Sequence, residues 1–138
     1  MRLRKSAKEQ LIKSVPLFSH VTRRELSAIA AEADELTLPE GKDLTRQGER
    51  GREFMVIVEG SARVTKNGRK INDLNSGDFL GEIALLSDVP RTATVTTTSE
   101  TTVLVLTDRA FKRVADKIPS VHSSLLKALS ERLQADAI

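Results

Sequence analysis

Residues 54–74 read FMVIVEGSARVTKNGRKINDL, and this stretch decides the fold. Its first five residues are all apolar, as in a central strand, and Glu59-Gly60 closes that strand with a turn signal. Ala62 and Val64 then alternate with polar residues, and Asn67-Gly68 is the strongest short-range signal for a β-hairpin. The stretch therefore predicts successive short antiparallel strands.

The same rhythm continues on both sides of this stretch. Turn signals stand at residues 39–41, 47–49 and 75–78, with short strand-like runs around them. Thr92–Thr96 alternates between polar and apolar residues, and Thr102–Leu106 is a more buried last strand. Strands of this length and spacing indicate an antiparallel sandwich or barrel.

Helical periodicity flanks the strands at both ends. Residues 3–15 form an amphipathic pattern, and Thr22 with Glu25 three residues later makes a capping box for a second helix. A helix is expected after Asp108 and another from Ser120. The last helix carries an apolar stripe that serves helix packing or a homodimer seam: Val121, Leu125, Leu126, Leu129 and Leu133.

The charge of the chain is concentrated at its beginning. The 138 residues carry 22 Lys and Arg against 19 Asp and Glu, but residues 1–13 hold a net charge of +4 and the remainder sums to −1. This distribution disfavours a nucleic-acid partner, because such proteins spread basic residues over a face. The chain has no Cys, no apolar run long enough for membrane insertion and no secretory signal pattern, so a cytoplasmic location is expected.

Residues 78–95, DFLGEIALLSDVPRTATV, interrupt the alternation of strands and turns. Gly81 permits a positive φ, and a helical turn over residues 82–86 would present free N–H groups to an anion. Arg91 can grip phosphate through two parallel hydrogen bonds. Glu82 beside a phosphate site is explained by a ribose hydroxyl, which a carboxylate accepts well. Phosphate and ribose together indicate a nucleotide.

These residues resemble the phosphate-binding cassette of cyclic-nucleotide-binding domains, the family of the catabolite activator protein, protein kinase A regulatory subunits and cyclic-nucleotide-gated channels. Gly81-Glu82-Ile83-Ala84-Leu85 and Pro90-Arg91-Thr92-Ala93 match its two blocks at the right separation. The resemblance implies a mainly β single domain over residues 1–138. It comprises N-terminal helices (1–33), an antiparallel β-roll (34–107) that is a double-stranded jelly-roll-like barrel and holds the cassette (78–95), and C-terminal hinge and lid helices (108–137).

The resemblance also implies the roles of individual residues. Glu82 and the Gly81 backbone should meet the ribose 2′-OH, and Arg91 should pair with an exocyclic phosphate oxygen. Further ligand contacts are expected from Ile83, Ala84, Leu85, Thr92 and Ala93. Base contacts or a lid are expected from Val64, Ile71, Leu129, Arg132 and Leu133. With no Trp or Tyr in the chain, the base must be capped by an aliphatic residue, by an Arg or by another subunit.

The ligand implied is a cyclic purine nucleotide, cAMP in preference to cGMP, although the Thr92 hydroxyl permits either. Ligand binding would draw the cassette inward and let the C-terminal helices fold over the base, regulating an effector protein or domain that the sequence does not identify. No cofactor beyond the ligand is expected.

Two other classes of function are weighed against this sensor. One is an interaction module that has lost its ligand, which the presence of both Glu82 and Arg91 disfavours. The other is a cupin-like metalloenzyme, which would need a cluster of His and Glu ligands. His20 and His122 lack ligand spacing and no catalytic motif is present, so neither a metal site nor catalytic residues are expected.

Overall fold

The computed structural model describes residues 3–136, with side chains over residues 3–131. The chain divides into two compact units. The helical unit comprises Met1–Ala33 and Arg109–Ile138, and the β unit comprises Asp34–Asp108. Over the described residues the α-helices are Lys5–Lys13 (α1), Arg23–Glu32 (α2), Asp108–Lys117 (α3) and Ser120–Asp136 (α4), with 3₁₀ turns at Pro16–Phe18 and Glu82–Leu85.

The β unit is built from two four-stranded sheets whose pairings are all antiparallel. The strands are Asp34–Leu38 (β1), Asp43–Thr45 (β2), Glu53–Glu59 (β3), Ser61–Lys66 (β4), Arg69–Asn75 (β5), Phe79–Leu80 (β6), Thr94–Thr97 (β7) and Thr101–Thr107 (β8). The strand orders are β1-β8-β3-β6 and β2-β7-β4-β5. This is the antiparallel β-roll that the sequence predicted.

The β4–β5 hairpin forms where Asn67-Gly68 predicted it. Asn67 has a φ of 53° and Gly68 a φ of 79°, the pair of left-handed conformations that a two-residue hairpin turn requires. Ala62 lies opposite Leu74 in this hairpin, and Val64 lies opposite Asn72. The turn therefore sets which residues of β4 and β5 share the inner face.

The interior of the β unit is filled by apolar side chains from both sheets. A buried cluster comprises Met55, Ile57, Ala62, Leu80, Val95 and Val103. Val64, Leu74, Leu38, Leu44 and Val105 pack against it and are only partly buried. Both sheets therefore contribute to one apolar cluster inside the β unit.

In the helical unit, α2 starts with the predicted capping box. The Thr22 hydroxyl accepts from the Glu25 amide at 3.2 Å, and the Glu25 carboxylate accepts from the Thr22 amide at 2.8 Å. The same buried carboxylate accepts hydrogen bonds from Ser120 at 2.6 Å and Ser124 at 2.8 Å. Burial alone raises the pKa of Glu25, but the hydrogen bonds from Ser120, Thr22 and Ser124 outweigh it and leave that pKa below its ordinary value. The carboxylate therefore joins α2 to the first turns of α4.

The predicted apolar stripe of α4 is wrong at one position. Val121 and Leu125 are fully buried, but Leu126 is 62% exposed, and Ala128 takes its place in the buried set. Residues 121, 125 and 128 follow the spacing of one helix face, whereas residue 126 lies about 100° round the helix from residue 125.

Among the described residues, none of the helices combines the length and apolar character that crossing a membrane requires.

Candidate functional site

The segment after β6 adopts the predicted sharp turn. Gly81 has a φ of 78°, in the left-handed region that favours glycine, and it directly precedes the 3₁₀ turn Glu82–Leu85. The Ala84 amide donates to the Gly81 carbonyl at 3.0 Å, and the Leu86 amide donates to Ile83 at 3.0 Å. The helical turn is therefore present, one residue shorter than predicted. It carries Glu82 on its first position.

A cavity of about 380 Å³ lies within the β unit beside this turn. Most of the predicted ligand-binding residues of the cassette line it: Gly81, Glu82, Ile83, Ala84, Arg91, Thr92 and Ala93. Its remaining lining comprises Thr45, Val64, Leu74, Phe79, Leu80, Val89, Pro90 and Val95. Leu85 is buried and is not among the residues that line the cavity. The volume and the mainly apolar lining are those of a small-molecule site.

Arg91 occupies a narrow slot at the edge of the cavity. Its side chain is only 10% exposed, and its guanidinium lies against the backbone of Gly51 and Gly81. A Cβ atom at either glycine would collide with it. Arg91 Nη2 donates to the Glu53 carbonyl oxygen at 2.5 Å. The slot exists because neither glycine has a side chain.

The guanidinium of Arg91 retains an unused donor. Its Nε is buried and has no hydrogen-bond partner among the described residues. A buried donor without a partner is costly, and a charged one more so. Burial lowers the pKa of Arg91, while the nearby charges of Glu53 and Glu82 act in the opposite direction. Arginine keeps its charge under such conditions, so the site holds a desolvated cation with one donor that has no partner among the described residues.

Backbone pairing fixes the position from which Arg91 extends. The Arg91 amide donates to the Glu49 carbonyl at 2.9 Å, and the Gly48 amide donates to the Arg91 carbonyl at 2.8 Å. Beside them, Arg50 and Asp88 form an ion pair at 2.6 Å. The strand predicted over residues 92–96 begins at Thr94 and extends to Thr97. Thr92 is exposed and lies with Ala93 in the loop that borders the cavity.

The apolar wall of the cavity differs from the prediction at one residue. Val64 lines the cavity as expected, but its described lining includes Leu74 and not Ile71, which is 58% exposed. Leu74 lies opposite the buried Ala62 and therefore points inward. Ile71 is three residues away, and side chains separated by an odd number of residues lie on opposite faces of a strand.

The remaining predicted residues belong to the helical unit. Leu129 is half-buried on α4. Arg132 and Leu133 fall in the same helix, and their side chains lie outside the described residues. Their contact with a ligand stays a prediction. His20 hydrogen-bonds Glu131 at 2.7 Å, and the ring of His122 packs edge-on against Phe111.

Sequence reasoning missed Gly51, Glu53 and Thr45. Gly51 has no turn signal of its own and matters only because Arg91, 40 residues later, packs on it. Glu53 directly precedes the predicted strand that begins at Phe54, and it has no sequence signal of its own. Thr45 is buried and donates its hydroxyl proton to the Ala93 carbonyl at 3.0 Å. All three contacts join segments that are distant in sequence, so no local pattern identifies them.

Comparison with known proteins places this chain in a family. The family model described as "Cyclic nucleotide-binding domain" matches residues 35–117. A cAMP-dependent protein kinase regulatory subunit of Mycosarcoma maydis is 35% identical over 127 residues, which cover 86% of this chain and 24% of that protein. The chain thus spans about a quarter of that curated relative's length.

Two solved structures share the fold. The N-terminal domain of a transcriptional regulator from Streptomyces coelicolor superposes with a TM-score of 0.82 and 26% identity over 92% of both chains. The regulatory domain of Toxoplasma gondii PKA with cAMP superposes with a TM-score of 0.72 and 30% identity, over 93% of this chain and 50% of that one. The cassette, the slot for Arg91 and these matches together show that the chain belongs to the cyclic nucleotide-binding domain family.

Proposed function

We propose that this chain is a sensor module that binds a cyclic purine nucleotide, cAMP in preference to cGMP, in the cavity beside Arg91. The observation that carries the proposal is the buried Nε of Arg91, which has no partner among the described residues. A cyclic phosphate oxygen would supply that partner and would gain a short charge-assisted hydrogen bond. The glycine slot fixes the guanidinium in advance, so little conformational freedom is lost on binding.

The 3₁₀ turn would provide the rest of the cradle. Glu82 lines the cavity at the start of the turn, where its carboxylate would accept the ribose 2′-OH beside the Gly81 backbone. Backbone N–H groups of the turn and of Thr92 or Ala93 would face the phosphate. The Ala84 amide already donates to Gly81. It would therefore contribute by sharing that hydrogen bond or after a small change in the turn.

The preference for cAMP is supported by the relatives. The Mycosarcoma protein is named a cAMP-dependent kinase regulatory subunit, and the Toxoplasma structure is described as a complex with cAMP. The exposed hydroxyl of Thr92 lies at the cavity and remains compatible with a guanine base. The base would rest on the apolar wall formed by Val64 and Leu74.

Ligand binding would act on the C-terminal helices. Phosphate and ribose contacts would favour one position of the cassette, and the α3–α4 segment, with Leu129, Arg132 and Leu133, would follow it to cover the base. This movement of the C-terminal helices would regulate an effector protein or domain in the cytoplasm. The proposed sensor neither turns over the nucleotide nor binds a metal. A homodimer formed through α4 would be independent of nucleotide binding.

Calorimetric titration with cAMP and with cGMP tests the proposal. The wild-type chain should bind cAMP more tightly, and Arg91→Ala should lose at least tenfold in affinity because the phosphate loses its cation. Arg69→Ala, an exposed arginine on β5, is the matched control and should bind as the wild type does. Absence of heat with both nucleotides would overturn the sensor function. Unchanged affinity in Arg91→Ala would overturn the phosphate assignment, and hydrolysis of either nucleotide would contradict the non-catalytic role.

A further inference from the structure

The guanidinium of Arg91 lies near two carboxylates, those of Glu53 and Glu82. Among the described residues that line the cavity, Arg91 is the one cation and Glu82 the one anion. A second carboxylate stands beside the lining, with Glu53 Oε2 3.7 Å from Arg91 Nη2. Glu82 has a proposed partner in the ribose, but the side chain of Glu53 has no role in the ligand contacts described so far.

Glu53 is held on the Arg91 side of β3. Its backbone carbonyl accepts the hydrogen bond from Arg91, and its carboxylate accepts one from the Arg52 amide at 3.2 Å. The side chain is 43% exposed, so water and salt screen its charge in part, and its repulsion of a neighbouring anion is strongest at low ionic strength. A phosphate that engages Arg91 must therefore lie near a fixed negative charge.

The other charged groups on the surrounding loops form pairs among themselves. Arg50 pairs with Asp88 at 2.6 Å, Arg52 pairs with Asp108 at 3.4 Å, and Glu49 lies 4.0 Å from Arg46. These pairs contribute little net charge at the phosphate position. The balance there is therefore set by Arg91 against the two carboxylates.

We infer that Glu53 is a specificity-determining residue that admits a singly charged cyclic phosphodiester and disfavours a doubly charged nucleoside monophosphate. The inference rests on the proposed function. A cyclic phosphodiester carries one negative charge, whereas a phosphomonoester carries about −1.5 to −2 at pH 7. Repulsion by the fixed carboxylate grows with the ligand charge, so the ring-opened nucleotide is penalised more than the cyclic one.

Binding of cAMP and of 5′-AMP to the wild type and to Glu53→Gln, measured by displacement of labelled cAMP at pH 7.5 and low salt, tests this. Glu53→Gln should tighten binding of both ligands, and should tighten 5′-AMP about three- to fivefold more than cAMP. Glu59→Gln, at the far end of the same strand, is the matched control and should leave the ratio of the two affinities unchanged.

A pH change on the wild type tests the same charge without a mutation. The second pKa of a phosphomonoester is about 6, so lowering the pH from 7.5 to 5.5 removes most of its second charge. The ratio of the cAMP affinity to the 5′-AMP affinity should fall in the wild type when the pH is lowered. The same ratio should fall less in Glu53→Gln. A purely structural role of Glu53 would not produce that difference.

Two results would overturn the inference. One is an unchanged ratio of affinities in Glu53→Gln, and the other is weaker binding of both ligands, which would make Glu53 a support for Arg91 only. If the wild type binds cAMP but either result is found, the proposed function stands and this inference falls. If the wild type binds neither ligand, both fall.

Discussion

Replacing Gly51 by Ala should weaken nucleotide binding while leaving the fold intact. A Cβ at Gly51 would occupy the space of the Arg91 Nε, Cζ and Nη2 atoms. The colliding atoms are the end of a flexible side chain, and Gly51 has no positive φ, so the backbone need not be strained. The substitution should therefore displace the guanidinium from its slot without disrupting the sheets.

The size of the effect follows from the hydrogen bonds that would be lost. A hydrogen bond to a charged group contributes about 1.5–3 kcal/mol. Because about 1.4 kcal/mol corresponds to tenfold in affinity, losing the preorganised contact to phosphate should weaken cAMP binding by about 10- to 100-fold. The free energy of unfolding should stay within about 1 kcal/mol of the wild-type value, since Ala restricts the unfolded chain more than Gly does.

Calorimetric titration with cAMP, paired with urea denaturation, measures both quantities. Gly77→Ala is the matched control, because Gly77 has a φ of 90° and open space around its Cβ position. It should cost about 1 kcal/mol of stability through backbone strain and leave affinity unchanged. Wild-type affinity in Gly51→Ala would refute the reasoning, since it would mean that the slot does not position Arg91 for the ligand.

Three further predictions concern packing within each of the two units. Leu125→Ala should lower the free energy of unfolding by about 2–5 kcal/mol and Leu126→Ala by less than about 0.5 kcal/mol, because Leu125 is buried and Leu126 is exposed. Equal losses of the two variants in urea denaturation would contradict the helix face assigned to Leu125. Gly60→Ala should destabilise the chain more than Gly77→Ala, because its Cβ would meet the backbone of Glu100 and Thr101; similar melting temperatures would count against that close approach. The hydrogen bonds that lower the pKa of Glu25 stabilise the fold above about pH 4.5, and this contribution is lost as the pH falls through the lowered pKa. The urea midpoint should therefore fall more steeply below pH 4.5 in the wild type than in Glu25→Gln. Parallel dependence of the two midpoints on pH would contradict this.

Features encoded by neighbouring residues were predictable from the sequence. The Asn67-Gly68 turn, the Thr22–Glu25 capping box and the left-handed Gly81 each follow from local chemistry, and the structure shows all three. Most of the predicted cassette residues line the cavity, and their contacts with a ligand stay predictions. Local signals of this kind are sufficient because turn and cap conformations restrict only a few dihedral angles each.

Structure and prediction differ where a side chain's environment is set by distant segments. Leu126 fits an apolar stripe by composition, but only the packing of α4 decides which face is buried. Ile71 has the residue type of a base contact, yet the register that places Leu74 opposite Ala62 turns Ile71 outward. Gly51 and Glu53 meet Arg91 only after the chain has folded, so their roles could not be found from spacing.

A crystal structure of the chain with cAMP tests the central claim most directly through one distance, that from Arg91 Nε to an exocyclic phosphate oxygen. A charge-assisted hydrogen bond of about 2.7–2.9 Å is predicted, with Arg91 still lying between Gly51 and Gly81. A phosphate bound elsewhere, or an Arg91 Nε that remains without a hydrogen bond while cAMP is bound, would contradict the account.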